Sequence, residues 1–493
     1  MARRGGILGA AAARPACLPI LATLLLASAA HAASPPAKTA QGRSDALAHE
    51  IFRQLIGIDT SDATGNVTTA AEALAQRFLA AGFPADDVVV AGPQDRKKNV
   101  VVRLRGTGSR RPVLLIGHLD VVAARREDWS TDPFQLIEKE GYFYGRGALD
   151  MKSGDAIMAA ALLRLREEAY RGSRDLILAL TADEEAGCCN GVEWLVRNRR
   201  ALIDAEFVLN HDGVVGYSIT SERGVPRQFA LSATEKMYAD YQLTATNRGG
   251  HSSLPRPDNA IYQLAAALLN IGRYSFPFEL NDITRGYFQR MAALSQGQTA
   301  ADMLAITRTP PEAEAIARLS RDPELNSMMH TTCVATRLEG GHSNNALPQR
   351  AQAIVNCRIL PGHSKEEVRG ELVRVLSDPA ITVRYVADDG NVSDTAPAQR
   401  ALPPSPLLPA MLEPLERTVN AMWPGLPVVP FMNPSATDGI ATRAAGLPTY
   451  GVAGIAVDRD DVRAHGRDER VRVASFYQGN EFFYRYLSAL TAP

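Results

Sequence analysis

The sequence carries no excess of either charge. Lys and Arg total 53 against 54 for Asp and Glu, a net charge of -1 over 493 residues, and no basic run or stripe breaks the balance. That excludes the electrostatic footprint of a nucleic-acid-binding surface. No G-x-S-x-G turn is present, so the chain offers no serine nucleophile of that kind. Gly145 and Gly147 lack the third glycine that a dinucleotide-binding turn requires. No internal repeat is found. Cysteines number only five.

One apolar stretch stands out, and it is too short to span a bilayer comfortably. It begins at Leu18, behind Arg3, Arg4 and Arg14, and ends in small residues at Ala30-His31-Ala32. This is the layout of a cleaved leader. The expectation is a signal peptide over 1–32, a mature chain starting near Ala33 without a stable membrane anchor, and a periplasmic or secreted location. Cys17 then leaves with the leader. Cys188 and Cys189, adjacent and poor partners for each other, read as small packing residues. Cys333 and Cys357 lie on two strand-like runs whose midpoint falls near Asn345, nearly opposite each other. A disulfide and two free thiols are both open there.

At this length two domains are expected. Helical periodicity from Ser44 to about Phe83 is followed by apolar strand runs, "NVVVRL", "PVLLIGH", "DLILALTA" and "EFVLNHD", separated by helices. This alternation predicts an α/β domain with a mostly parallel, buried sheet, whose ligands collect at the carboxyl ends of the strands. A second pattern of strand, helix, two strands, helix, strand runs from "MYADYQLTAT" to "ITVRYVA", the split βαβ order of an α+β domain. The stretch from about Phe278 to Asn326, mostly helical and polar, reads as an insertion in that small domain. The α/β pattern resumes after a Pro-rich connector. The predicted division is 33–228 and 391–493 for the large domain, with 229–390 inserted.

The chemistry gathers at predicted strand ends. "ALTADEEAG" sets Asp183, Glu184 and Glu185 at the mouth of a buried strand, where desolvated charge calls for a positive partner. His118 and Asp120 end "PVLLIGHLD", Asp150 follows Gly147, His211 and Asp212 end "EFVLNHD", and His465 lies near the C-terminus. Each is weak alone. Together they make a cage of nitrogen and oxygen donors suited to zinc, and metal is the expected partner of the acidic triplet. His118 and Asp120 read as a ligand and the carboxylate that orients it.

In order along the chain, "GHLDVV", "GRGALDMKSG", "TADEEAG", "LNHDG", "NRGGHSSLP", "NNALPQRAQAIVNCRILPG" and "AHGRDE" resemble the co-catalytic zinc peptidase family of acetylornithine deacetylase, succinyl-diaminopimelate desuccinylase, carboxypeptidase G and carnosinase. The resemblance covers essentially the whole mature chain. It implies a zinc-peptidase catalytic domain with an inserted lid and dimerisation domain, and two zinc ions per chain, for which cobalt or manganese could substitute. Asp150 would bridge them, one held by His118 and Asp212, the other by Glu185 and His465, with His211 the alternative to Asp212. A cis peptide is implied after Asp150. Glu184 takes the general-base role, Asp120 beside His118 counts among the catalytic residues, and a hydroxide between the metals is the nucleophile. His251 would reach across a homodimer to the partner's oxyanion, while Asn345 and Arg358 bind substrate carboxylate. The implied activity is amide hydrolysis of small peptides, with N-acyl amino acids as the alternative substrates.

Overall fold

Apolar runs that leave no polar position for solvent form the centre of the structure. Val113–His118 and Leu176–Thr181 are buried at every residue and run parallel. Phe207–Asn210 and then Thr449–Gly451 extend the parallel block on the other side. Strands of this kind need cover on both faces. One cover is the helix Lys152–Glu167, buried along nearly its whole length against the helices Ala40–Ile56 and Val473–Leu490. In this computed structural model, residues 39–186, 188–214, 219–222 and 225–493 are described, without the side chain of Glu222; the expected leader lies outside them.

The large sheet has ten strands. Its edge is antiparallel, Val88–Gln94 on Lys97–Leu104 on Leu176–Thr181. Beyond Thr449–Gly451, Val225–Glu235 joins antiparallel, and Val428–Asn433 pairs with it in parallel. Val225–Glu235 runs through the expected boundary at 228 and stays in the large sheet to its end. The parallel central strands finish on one side of the sheet, at His118, Thr181 and Asn210.

Met237–Thr246 opens a second, antiparallel sheet of five strands, between Arg350–Ile359 and Ile381–Val386, with Thr332–Gly340 at one edge and Val392–Ser393 at the other. Its helices present apolar stripes at helical spacing, Ala260, Leu264, Ala267 and Ile271 in one, Val368, Leu372 and Leu376 in the other. Asn259 and Ser364 cap them. Cys333 and Cys357 face each other in register and form a disulfide.

The helices between Asp282 and Met329 depart from expectation. They are amphipathic rather than polar throughout, and their apolar face does not serve the second sheet. Tyr287, Phe288, Met303, Ile306 and Leu319 share a core with Ala230, Val429 and Phe431 of the large sheet. The sequence reading placed the helices but not their apolar face, which shows only once the fold supplies its partner. Among the described residues, no helix is long and apolar enough to cross a membrane.

Candidate active site

The strand ends bring two imidazoles onto one carboxylate. Nε2 of His118 lies 3.1 Å from Oδ1 of Asp150, and Nε2 of His465 lies 3.2 Å from its Oδ2. Around this axis, Asp212 Oδ1 is 4.0 Å from His118 Nε2, and Glu185 Oε1 is 2.9 Å from His465 Nε2. The sequence motifs thus meet as two groups sharing Asp150, with Glu184 close enough for its charge to act on His118. The peptide from Asp150 to Met151 is cis. Asp183 and His465 hold left-handed backbone, φ 64° and 63°, an uncommon conformation for residues other than glycine that concentrates at functional sites.

Electrostatics show what the cluster requires. Burial pushes Asp212 up to about 8, helped by the charge of Asp150, and burial with the Asp212 charge raises Glu184. Burial also opposes ionisation of Asp150, yet the hydrogen bonds from His118 and His465 hold it below the usual carboxylate range. His465 is pulled up to about 10 by its bonds to Asp150 and Glu185. Carboxylates this close repel one another unless positive charge stands between them. Converging imidazole nitrogens and carboxylate oxygens at buried strand ends match the donor set of zinc-class ions, so the residues present fit a metal centre.

The acidic triplet divides its labour. Asp183 takes an ordinary cation: Lys97 Nζ lies 2.6 Å from its Oδ1, and the Cys189 amide donates to its Oδ2 at 2.6 Å. Glu185 faces His465. The His118 and His465 cluster is therefore not the partner of all three.

Asp120 differs from its expected role as the orienting carboxylate of His118. Its Oδ1 is 3.8 Å from His118 Nδ1, whereas its backbone carbonyl oxygen is at 3.1 Å. Its carboxylate instead accepts the amides of Glu184 at 3.2 Å and Glu185 at 3.0 Å. Asp120 fixes the loop that presents both glutamates, and burial pushes it up to about 6.

His211 is not brought to the cluster. Its ring packs against Phe483 with centroids 5.7 Å apart, both ring nitrogens lack partners among the described residues, and burial lowers it to about 3. A Cβ at Gly154 would stand 2.3 Å from its Nδ1, which explains the glycine there.

A cleft of about 1030 Å³ opens from the cluster, lined by Glu184, Glu185, Asp212 and His465 and, from the second sheet, by Arg358. The Arg358 guanidinium lies 4.8 Å over the Tyr238 ring, and burial lowers its pKa. His251 and Asn345 do not line this cleft. They are exposed and close together, His251 on the short ladder Gly250–His251 with Ala346–Leu347 and Asn345 just before it. Asn345 accepts the Ser252 amide at 3.0 Å, and His251 Nδ1 lies 2.8 Å from Ser253 Oγ.

Two residues at the site escaped the sequence reading. Glu469 is fully buried; its Oε1 accepts the amides of Leu149 and Asp150 at 2.7 and 2.8 Å, and its Oε2 pairs with Arg146 at 2.6 Å. It closes the "AHGRDE" motif whose histidine alone had been singled out. Asp438 is buried at the cleft and accepts from Thr181 Oγ1 at 3.0 Å and Asn190 Nδ2 at 2.6 Å. No sequence signal marked it.

Comparison with known proteins now bears on this geometry. The model of peptidase family M20/M25/M40 matches residues 114–489. The chain belongs to that family. It is an enzyme, a hydrolase of the peptidase and amidase type, and its mixed α/β architecture is that of M20 proteins. The N-fatty-acyl-amino acid synthase/hydrolase PM20D1 of Xenopus tropicalis is 27% identical over 369 residues, 73% of this chain and 69% of that protein. Probable carboxypeptidase S-like 2 of Dictyostelium discoideum is 26% identical over 388 residues, 77% of this chain and 72% of the relative. Among solved structures, the M20 family metallo-carboxypeptidase Sso-CP2 from Sulfolobus solfataricus superposes with a TM-score of 0.66 at 16% identity, covering 90% of this chain and 99% of that one. This last likeness is one of fold.

Proposed function

We propose that this M20 enzyme is an exported hydrolase that uses two zinc-class ions to cleave an amide bond next to a free carboxylate, in small peptides. The single observation that carries the reading is the sharing of Asp150 between His118 and His465, each flanked by a second carboxylate. His118, Asp150 and Asp212 would hold one ion; Asp150, Glu185 and His465 the other. When bound, the ions supply Lewis acidity toward the scissile carbonyl and acidify water at the site.

The chain's own groups do the rest. Glu184 takes the proton of the attacking water and returns it to the leaving amine nitrogen, where a positioned carboxylate is worth about 10²- to 10⁴-fold. Asp120 keeps Glu184 and Glu185 in register by accepting both amides, and Glu469 does the same for Asp150. Arg358, in the cleft wall with its guanidinium over the Tyr238 ring, receives the substrate carboxylate. The second sheet, with its surroundings in 229–390, acts as the inserted lid.

His251 and Asn345 stand together outside the cleft, and this favours their use on a partner's site in a homodimer. Thr332–Gly340 is a free sheet edge carrying exposed Val334 and Leu338, the kind of edge that pairs with a second copy. A second reading, hydrolysis of N-acyl amino acids, is favoured by the PM20D1 relative and by a cleft of about 1030 Å³. It uses the same residues.

The deciding experiment compares Glu184→Gln with Glu185→Gln in metal-loaded mature protein, on dipeptides and on N-acyl amino acids. Glu184→Gln should retain metal and lose at least about 10²-fold in kcat. Glu185→Gln should lose metal. Equal metal content in the two variants, or full activity after chelation, refutes the assignment.

A further inference from the structure

The loop bearing Glu184 and Glu185 starts at Asp183 and closes at Cys188 and Cys189. These cysteines are not packing residues: Cys188 is exposed, Cys189 half-buried, and both are free. Carboxylate and sulfur donors of Asp183, Cys188 and Cys189 lie within 4.8 Å of one another. Zinc bonded to sulfur at about 2.3 Å in tetrahedral geometry sets two sulfurs about 3.8 Å apart, so closing the site takes shifts of about 1 Å or less.

The donors are held in place from outside the loop. Gln94 Nε2 lies 2.9 Å from Cys189 Sγ, and Lys97 Nζ lies 3.2 Å from Cys188 Sγ. A cavity of about 220 Å³ adjoins the site on the Asp183 side, lined by Asp183, by Gln94 and Lys97, and by Thr60 among others, with room for water beside the carboxylate. Among the described residues, the buried Thr60 hydroxyl has no partner.

We propose that Asp183, Cys188 and Cys189 form a separate site for a thiophilic divalent metal of the zinc and cadmium class, behind the loop that presents the catalytic glutamates. Paired thiolates select such ions over harder ones. On binding, two metal–sulfur bonds replace two S–H bonds, and the protons pass to solvent. The Lys97 ammonium leaves Asp183 and remains with Asp62, which it already meets at 2.6 Å. The ion then ties together both ends of the loop. This inference does not depend on the metals proposed for the His118 and His465 cluster.

Cadmium is the probe, because thiolate ligation gives a charge-transfer absorption that imidazole and carboxylate ligation does not. Cys333 and Cys357 are oxidised and Cys17 lies in the expected leader, so in the mature chain the signal reports on Cys188 and Cys189. Titrating zinc-loaded mature enzyme should develop the band to one equivalent per chain. The C188S/C189S variant should show no band while keeping its hydrolytic activity. Each single variant should bind cadmium at least about tenfold more weakly, having one thiolate bond left. If the double variant folds poorly, alkylated wild-type protein poses the same question. No band with excess cadmium, a band that survives in the double or alkylated protein, or single variants that match wild type overturns the proposal.

Discussion

Lys236 permits a prediction whose sign and size follow from its surroundings. It is the single residue between Val225–Glu235 of the large sheet and Met237–Thr246 of the second sheet. Its side chain is fully buried, and Nζ donates to the His330 carbonyl oxygen at 2.6 Å, where the chain enters the second sheet again. Burial, with the nearby Arg358 charge, lowers its pKa from 10.5 to about 7. Between these values the unfolded chain binds more protons than the native one, so stability rises with pH across that window. Below pH 7 both states are protonated and the native state carries the whole penalty, about 3.5 units at 1.36 kcal/mol each, or about 5 kcal/mol. At about pH 9.5 only about 1.4 kcal/mol of it remains.

Lys236→Met keeps the length, removes the charge and leaves the His330 carbonyl without its donor, a loss of about 1–3 kcal/mol. The variant should therefore be more stable than wild type at about pH 6.5. Its advantage should shrink by about 3 kcal/mol on going to about pH 9.5. Urea denaturation of both proteins across this range measures the difference. Parallel curves would show that Lys236 titrates normally in the native state, and the reasoning would fail.

Glu469→Gln should weaken metal retention, and by leaving Arg146 buried without its counter-charge should cost about 3–5 kcal/mol, visible as a lower Tm. A variant with unchanged Tm and metal content would show that the contacts to Leu149 and Asp150 are dispensable. Mixing inactive His251→Ala and Glu184→Gln homodimers should restore activity, since one site of each hybrid holds an intact Glu184 and receives an intact His251. Subunit exchange without recovered hydrolysis excludes donation across a dimer. Opening the loop closed by Cys333 and Cys357, 24 residues apart, with the double serine variant should cost about 2–4 kcal/mol; an unchanged denaturation midpoint refutes this.

Much of the fold could be read from local pattern. "MYADYQLTAT" alternates in period two and coincides with the strand Met237–Thr246; the unbroken run "LILALT" is the buried strand Leu176–Thr181. The order of the metal motifs was legible for a related reason. Parallel strands must all end on one side of the sheet, so His118 and the residues after Thr181 and Asn210 had to meet. By contrast Val88–Gln94, an edge strand with no fully buried position, has too weak an apolar pattern to announce itself.

What the sequence determined by itself was therefore which segments are strands and helices, which of their faces are apolar, and which donor types stand at their ends. Those properties are written in neighbouring residues. The tertiary structure alone decided the partners: that Asp183 faces Lys97 rather than the His118 and His465 cluster, that the Asp120 carboxylate holds the amides of Glu184 and Glu185, that His211 packs on Phe483 while Asp212 turns to the cluster, and that Glu469 clamps Asp150 across the molecule. A carboxylate's role depends on what lies within about 3 Å of its oxygens, and for these residues that is set by chain folded back from as far as 319 positions away.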